Sequence, residues 1–231
     1  MTRKLESFIT YSQSANFLCT NMLKRLEAAY SKVWPCSLDD EDIRSFLGIL
    51  YLATCYFKPR LVLQTGTFVG SSSLSIALAL KQNKLGRLYT IDPEPPEYFG
   101  VKEPVSIARR VVRNEQLSEQ VRFLKGYSTL PLDASRIKLV TRPHWQLRKI
   151  SQITSYDMLV VDGDHTFLGC YLDLVYGASG LDRTGPRILV IHDYLGISEV
   201  QKAVDKWRAQ FSSLVMQVVP SSCGIALMQL P

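Results

Sequence analysis

The sequence predicts an α/β fold: a doubly wound, mostly parallel sheet of seven strands that ends in an antiparallel hairpin, preceded by an N-terminal helical cap. Three observations predict it. Short β-rich runs alternate with helical segments after Pro59. The last two strand-like runs are joined only by Pro220-Ser221-Ser222, which leaves no room for a crossover helix, so they must run antiparallel. Before Pro59, apolar residues recur at helical spacing.

The elements follow in chain order. Leu18, Met22, Leu26, Ala29, Tyr30 and Val33 define a helix within residues 12–34. A second helix begins near Leu38-Asp39-Asp40-Glu41-Asp42, whose acids suit a helix N-terminus; it runs through Ile43, Phe46, Leu47 and Leu50, and Lys58-Pro59 ends it. Residues 1–58 form the cap, and 59–231 the ligand-binding domain. Its parallel strands are predicted at residues 61–65, 87–91, 121–125, 158–161 and 187–191, with helices at 72–82, 105–116, 166–177 and 198–211. The closing strands are 214–219 and 223–229, and the basic stretch 132–155 reads as a helix plus a loop.

A chain of 231 residues suffices for one such domain with an addition and can bury a sizeable core. Hydrophobic residues make up 46% and charged residues 21%, which excludes disordered, collagen-like and coiled-coil classes. The net charge of +6 is scattered, with small clusters at Arg109-Arg110 and Arg148-Lys149. It suits solubility, an acidic substrate or a weak polyanion contact; that no nucleic acid is expected as a partner rests on the motifs below. The five cysteines, Cys19, Cys36, Cys55, Cys170 and Cys223, lie far apart without a Cys-x-x-Cys pair, so a reduced, cytoplasmic setting is expected. Residues 1–6 lead into polar sequence, with no secretory signal. The longest uncharged apolar stretch, Phe46 to Phe57, falls short of the roughly 20 residues of a membrane span.

In an open parallel sheet, ligands bind beyond the carboxyl ends of the strands, so the chemistry is read there. The first strand leads into Gly66-Thr67-Phe68-Val69-Gly70-Ser71-Ser72, where two glycines permit a tight turn and the next helix aims its N-terminal amides at a ligand. A strand–helix turn without a ligand is the alternative. Phe68 stands where a dinucleotide fingerprint needs glycine, which opposes a nicotinamide cofactor. The second strand ends at Asp92, a carboxylate able to accept from both hydroxyls of a ribose, or else to cap a helix. Gly126-Tyr127-Ser128 follows the third strand and suits packing against an adenine. The fourth and fifth strands end in Asp162-Gly163-Asp164-His165 and His192-Asp193-Tyr194. Two of the three histidines thus sit beside carboxylates at strand ends, a donor set for magnesium, manganese or iron, although Asp164 can instead cap the next helix. His144, in Arg142-Pro143-His144-Trp145, reads as a surface residue.

These residues resemble the class I S-adenosylmethionine-dependent methyltransferases, which have a Rossmann-like sheet. Within them the chain is similar to the metal-dependent small-molecule O-methyltransferases, meaning the catechol and caffeoyl-CoA enzymes and the macrocin O-methyltransferase group. The resemblance runs from about Leu61 to the C-terminus and rests on Gly66, Gly70 and Ser72, on Asp162 to His165, and on His192-Asp193. It implies that Gly66, Thr67, Gly70 and Ser72 line the methionine end of the cofactor, and that Asp92 holds the ribose. It implies that Gly126, Tyr127 and Ser128 border the adenine. Asp162, also near the cofactor, joins His192 and Asp193 as metal ligands, for magnesium or manganese. His165 stands where the relatives place a lysine general base, so Asp162 and His165 become the catalytic candidates. Gln64 replaces an acid and His192 a carboxylate, which implies weaker hold on the cofactor ammonium and a shift toward manganese or iron(II).

The implied reaction is methyl transfer to a hydroxyl of a small molecule. Tyr11, Phe17, Trp34 and Tyr56 of the cap would cover the acceptor or form a homodimer contact, although aromatics at such spacing more often belong to the core. The same pattern resembles cephalosporin hydroxylase-like proteins, and a cofactor-binding protein without catalysis is a further alternative. A nucleic-acid methyltransferase would carry an Asn/Asp-Pro-Pro-aromatic element where Asp162-Gly163-Asp164-His165 stands.

Overall fold

A computed structural model describes residues 2–31, 33, 40–128, 155–219 and 223–231. The predicted helix and loop over 132–154, His144, Trp34 and Cys36, and the side chain of Phe17, lie outside the described residues.

The chain opens with helices α1 (Thr2–Ser14), α2 (Asn16–Ser31) and α3 (Glu41–Phe57). Strands and helices then alternate: β1 (Leu61–Thr65), α4 (Ser71–Asn83), β2 (Arg87–Asp92), a small hairpin of β3 (Glu97–Tyr98) and β4 (Val101–Lys102), α5 (Pro104–Asn114) and β5 (Val121–Lys125). After the segment outside the description come β6 (Met158–Val161), α6 (Phe167–Ser179), β7 (Ile188–Ile191), α7 (Ser198–Arg208), β8 (Met216–Val219) and β9 (Ile225–Gln229). The sheet has seven strands in the order β5-β2-β1-β6-β7-β9-β8. The first five are mutually parallel, and β9 is antiparallel to both β7 and β8.

The strands read as apolar runs because both sheet faces are covered. Alternate residues serve opposite faces: Val62, Val160 and Val190 join one core with Phe8, Leu26, Phe46, Leu50 and Leu74 of α1–α4. Leu63, Leu159 and Leu189 join the other with Leu174 of α6 and Trp207 of α7. The N-terminal helices therefore share a core with one sheet face. Asp40 caps α3 by accepting from the Asp42 and Ile43 amides at 2.8 and 3.4 Å, and Lys58 closes it in a left-handed conformation, as the acid run and Lys58-Pro59 predict. Among the described residues no helix is long and apolar enough to cross a membrane.

Three differences from the sequence reading have physical causes. An additional helix, α1, precedes the expected one: Ser12 and Ser14 turn their hydroxyls back onto the Ile9 and Tyr11 carbonyls, and α1 ends where this competition sets in, before α2. The apolar pair Leu5 and Phe8, both buried, was the signal for α1. The segment after β2 folds into the β3–β4 hairpin, whose two-residue tip places Phe99 and Gly100 at φ +49° and +73°. The last hairpin begins later than its apolar run: Leu214 belongs to a turn, its amide bonded to the Phe211 carbonyl, and Cys223 precedes β9.

Candidate active site

The turn after β1 is shaped by contacts that only glycine allows. Gly66 has φ +81°, and a Cβ there would stand 1.9 Å from the Asp162 carbonyl oxygen, so the end of β1 lies directly against the end of β6. Gly70, at φ +84°, brings the start of α4 against Ala108 of α5. Three side chains hold the turn. Gln64 is fully buried; its amide donates to the Gly66 carbonyl and the Ser72 hydroxyl, and its carbonyl accepts from the Ser73 hydroxyl. The position that was expected to cost cofactor affinity is thus committed to shaping the turn. Thr67 and Thr90 share a hydroxyl–hydroxyl bond of 2.6 Å. Tyr30, from α2, donates to the Val69 carbonyl at 2.8 Å.

Asp92 anchors the same turn. Its Oδ2 accepts from the Thr67 and Phe68 amides at 2.9 and 3.1 Å, and its Oδ1 from the Glu94 amide at 2.7 Å. A carboxylate offers roughly four lone-pair sites, so it retains room for one ribose hydroxyl rather than the two expected from sequence. The amides also explain how Phe68 is held at φ +50°.

Opposite this turn lie the acid–histidine pairs. His192 Nδ1 is 3.1 Å from Asp162 Oδ1 and 3.2 Å from Asp193 Oδ2. Burial by itself would lower the His192 pKa, but hydrogen bonds to the Asp162 and Asp193 carboxylates, and their charge, outweigh it and push the imidazole up to about 10. Asp193 is held below the usual carboxylate range: burial raises it, and the bond to His192 and its charge prevail. His165 Nε2 lies 3.3 Å from Asp193 Oδ2 without the alignment of a hydrogen bond. The Phe46 ring of α3 stacks on His192 with centroids 4.0 Å apart. Asp164 accepts from the Thr166 amide, and Thr166 caps α6 by accepting from Gly169, so Asp164 takes the structural option.

Both halves face one cavity of about 650 Å³. Of the expected residues, Gly66, Thr67, Ser72, Asp92, Tyr127, Ser128, Asp162, His165, His192 and Asp193 line it; Gly70 and Gly126 stand behind it as turn residues. The helical cap reaches it through Ile43, Phe46 and Leu47. Tyr11 and Tyr56 pack on each other, 5.2 Å between centroids, against the core, the commoner of the two roles expected of such aromatics. Sequence reasoning missed Phe46, which reads as an ordinary core position, and the aromatic rim of Tyr98 and Phe99. Phe99 is 79% exposed and meets Phe68 edge-on.

Two donor groups could hold a divalent cation: Asp162, His165 and Asp193, and His192, Asp193 and Cys223, the ligand atoms of each lying within 4.8 Å of one another. The donor chemistry fits such an ion, because two carboxylates at this depth require a positive charge, which the His192 imidazolium supplies here. The Nε2 atoms of His165 and His192 are buried and lack a hydrogen-bond partner among the described residues.

Comparison with known proteins agrees with this architecture. The SAH-bound methyltransferase PaMTH1 of Podospora anserina superimposes with a TM-score of 0.61 at 12% identity, over 95% of this chain and 96% of that one. A methyltransferase from Geobacter sulfurreducens gives 0.59 at 19% identity over 90% and 87%. The O-methyltransferase TomG of Streptomyces achromogenes, in complex with SAM, gives 0.60 at 16% identity over 90% and 89%. No curated protein matches the sequence. At these identities the likeness establishes the Rossmann-like methyltransferase fold. A family model described as a methyltransferase domain matches residues 63–194, from β1 through the His192-Asp193 pair, and the chain belongs to that family.

Proposed function

We propose that this protein transfers a methyl group from S-adenosylmethionine to a hydroxyl oxygen of a small molecule, assisted by a divalent cation at Asp162, His192 and Asp193. The observation that carries the reading is the single cavity in which the Gly66 turn and the Asp162–His165–His192–Asp193 group face each other. Relatives that share the fold are described with SAM or SAH bound, which supports the choice of cofactor.

When bound, S-adenosylmethionine supplies an electrophilic methyl on its sulfonium sulfur. A divalent cation, when bound, lowers the pKa of an adjacent hydroxyl. The chain does the rest. The Gly66–Gly70 turn lets backbone approach the methionine end, and the open lone pair of Asp92 takes one ribose hydroxyl. Tyr127 and Ser128 border the adenine. His165, on the cavity wall with 37% of its side chain exposed, accepts the acceptor's proton at an imidazole nitrogen and returns it to solvent. Ile43, Phe46 and Leu47 shield the cavity from water, and much of the acceleration comes from holding oxygen and methyl at attack distance.

The test is calorimetric titration with S-adenosylmethionine, S-adenosylhomocysteine and NAD, each with and without magnesium or manganese. Binding of both S-adenosyl compounds without response to NAD, and a metal-dependent component lost in Asp193→Ala, is the expected result. No S-adenosyl binding under any condition would overturn the reading.

A further inference from the structure

We infer that Cys223 joins His192 and Asp193 as a ligand of the divalent cation, giving it a mixed nitrogen, oxygen and sulfur donor set that selects zinc-like cations over magnesium. The inference rests on the metal-assisted reading above and specifies its cation.

Sheet register, and not a loop tip, places Cys223. Strand β9 runs antiparallel to β7 with Ile191 opposite Ala226, so the residues entering β9 must lie beside those leaving β7. Backbone bonds lock the arrangement: the Cys223 carbonyl accepts from the Leu195 and Gly196 amides at 2.8 and 2.9 Å, and the Gly224 carbonyl accepts from Tyr194 at 3.1 Å. Gly196 makes this approach possible, since a Cβ there would stand 3.0 Å from Cys223 Cα. The thiol consequently reaches the Asp193 carboxylate as a hydrogen-bond donor.

Donor atoms of His192, Asp193 and Cys223 fall within 4.8 Å of one another. Tetrahedral coordination at bond lengths of about 2.0–2.3 Å sets neighbouring donors roughly 3.5 Å apart, so the three donors need draw in by little more than about 1 Å. His192 turns Nδ1 toward Asp162 and Asp193 at 3.1 and 3.2 Å, so this nitrogen already faces the carboxylates that a shared cation would use. Asp193 belongs also to the harder group with Asp162 and His165. The Cys223 side therefore distinguishes the cation: magnesium keeps to oxygen donors, whereas zinc, iron(II) and cobalt(II) accept thiolate and imidazole. Entry of the cation releases the thiol proton to solvent as the sulfur–metal bond forms.

The full chain, loaded with cobalt(II), should show visible d–d bands together with a near-ultraviolet thiolate-to-cobalt charge-transfer band. Cys223→Ser should lose the charge-transfer band, retain the d–d bands, and weaken zinc binding at least about tenfold, the loss that even an indirect partner of a metal ligand causes. Cys223→Asp should recover affinity through oxygen and shift preference toward manganese and magnesium. Cobalt binding without a charge-transfer band in the unaltered protein would overturn the role of Cys223 and leave the centre standing. No cobalt binding would overturn both, and S-adenosylhomocysteine titration of the same sample reports separately on the methyltransferase reading.

Discussion

Gly66→Ala is the sharpest perturbation of the site. Its Cβ would meet the Asp162 carbonyl oxygen at 1.9 Å, the Asp162 carbonyl carbon at 2.6 Å and Gly163 Cα at 2.8 Å, all backbone atoms that cannot rotate away. Two costs combine. A left-handed backbone conformation costs an L-residue about 1–2 kcal/mol. Forcing apart a packed contact costs about 1–3 kcal/mol more. Gly100→Ala separates them, because Gly100 has φ +73° but a Cβ there meets nothing within 4 Å. Urea denaturation of both variants should therefore show about 1–2 kcal/mol lost in Gly100→Ala and about 2–5 kcal/mol in Gly66→Ala. S-adenosylhomocysteine titration should weaken at least about tenfold in Gly66→Ala alone, since the wedge separates the turn from Asp162, and each 1.4 kcal/mol is a factor of ten. Equal losses in the two variants, with unchanged titration of Gly66→Ala, would refute the claim that the β1–β6 contact shapes the site.

Further outcomes follow from named groups. Asp173 is fully buried beside the Thr65 and Ser128 hydroxyls, and burial pushes it up to about 7, so the folded protein keeps a proton that the unfolded chain loses near 3.8. Its contribution to stability should therefore be full below the unfolded value and be lost as pH rises through 7, by at most about 4 kcal/mol. Asp173→Asn should flatten that slope in denaturation at pH 5 and pH 8, and an unchanged slope would contradict the assignment. Asp92→Asn replaces an acceptor of three backbone amides with a group that also donates; about 1.5–3 kcal/mol of stability should go, with weaker S-adenosylhomocysteine binding by calorimetry. Tyr30→Phe strands the buried Val69 carbonyl and should cost about 1–3 kcal/mol in the same denaturation assay, a wild-type midpoint being the contrary result.

Strand ends were the most legible part of the sequence. In a doubly covered parallel sheet the apolar run stops where the chain leaves the core, so Asp92, Asp162 and His192 announce themselves as the first polar residues past it. The closing hairpin was legible because chain length forbids any other connection. What escaped was what depends on contacts distant in sequence. Phe46 reads as one more apolar helix position, and only the packing of α3 against the sheet puts it on His192. Cys223 has no neighbouring donor in sequence and gains two from register. The β3–β4 hairpin defied pattern reading because its tip places Phe99 where glycine or asparagine is usual.

The strand order carries a consequence for how such a site can change. Asp92 ends β2, Gly66 follows β1, Asp162 follows β6 and Asp193 lies just past β7, and these strands are successive neighbours. Hydrogen-bonded strands stand about 4.8 Å apart, so the sheet acts as a ruler whose three divisions, about 14 Å, separate Asp92 from Asp193. No loop sets that length. The β3–β4 hairpin and helix α3 border the same cavity without touching its scale, so a different ligand can be accommodated by rebuilding them alone, with the span between the two carboxylates left as the backbone measured it.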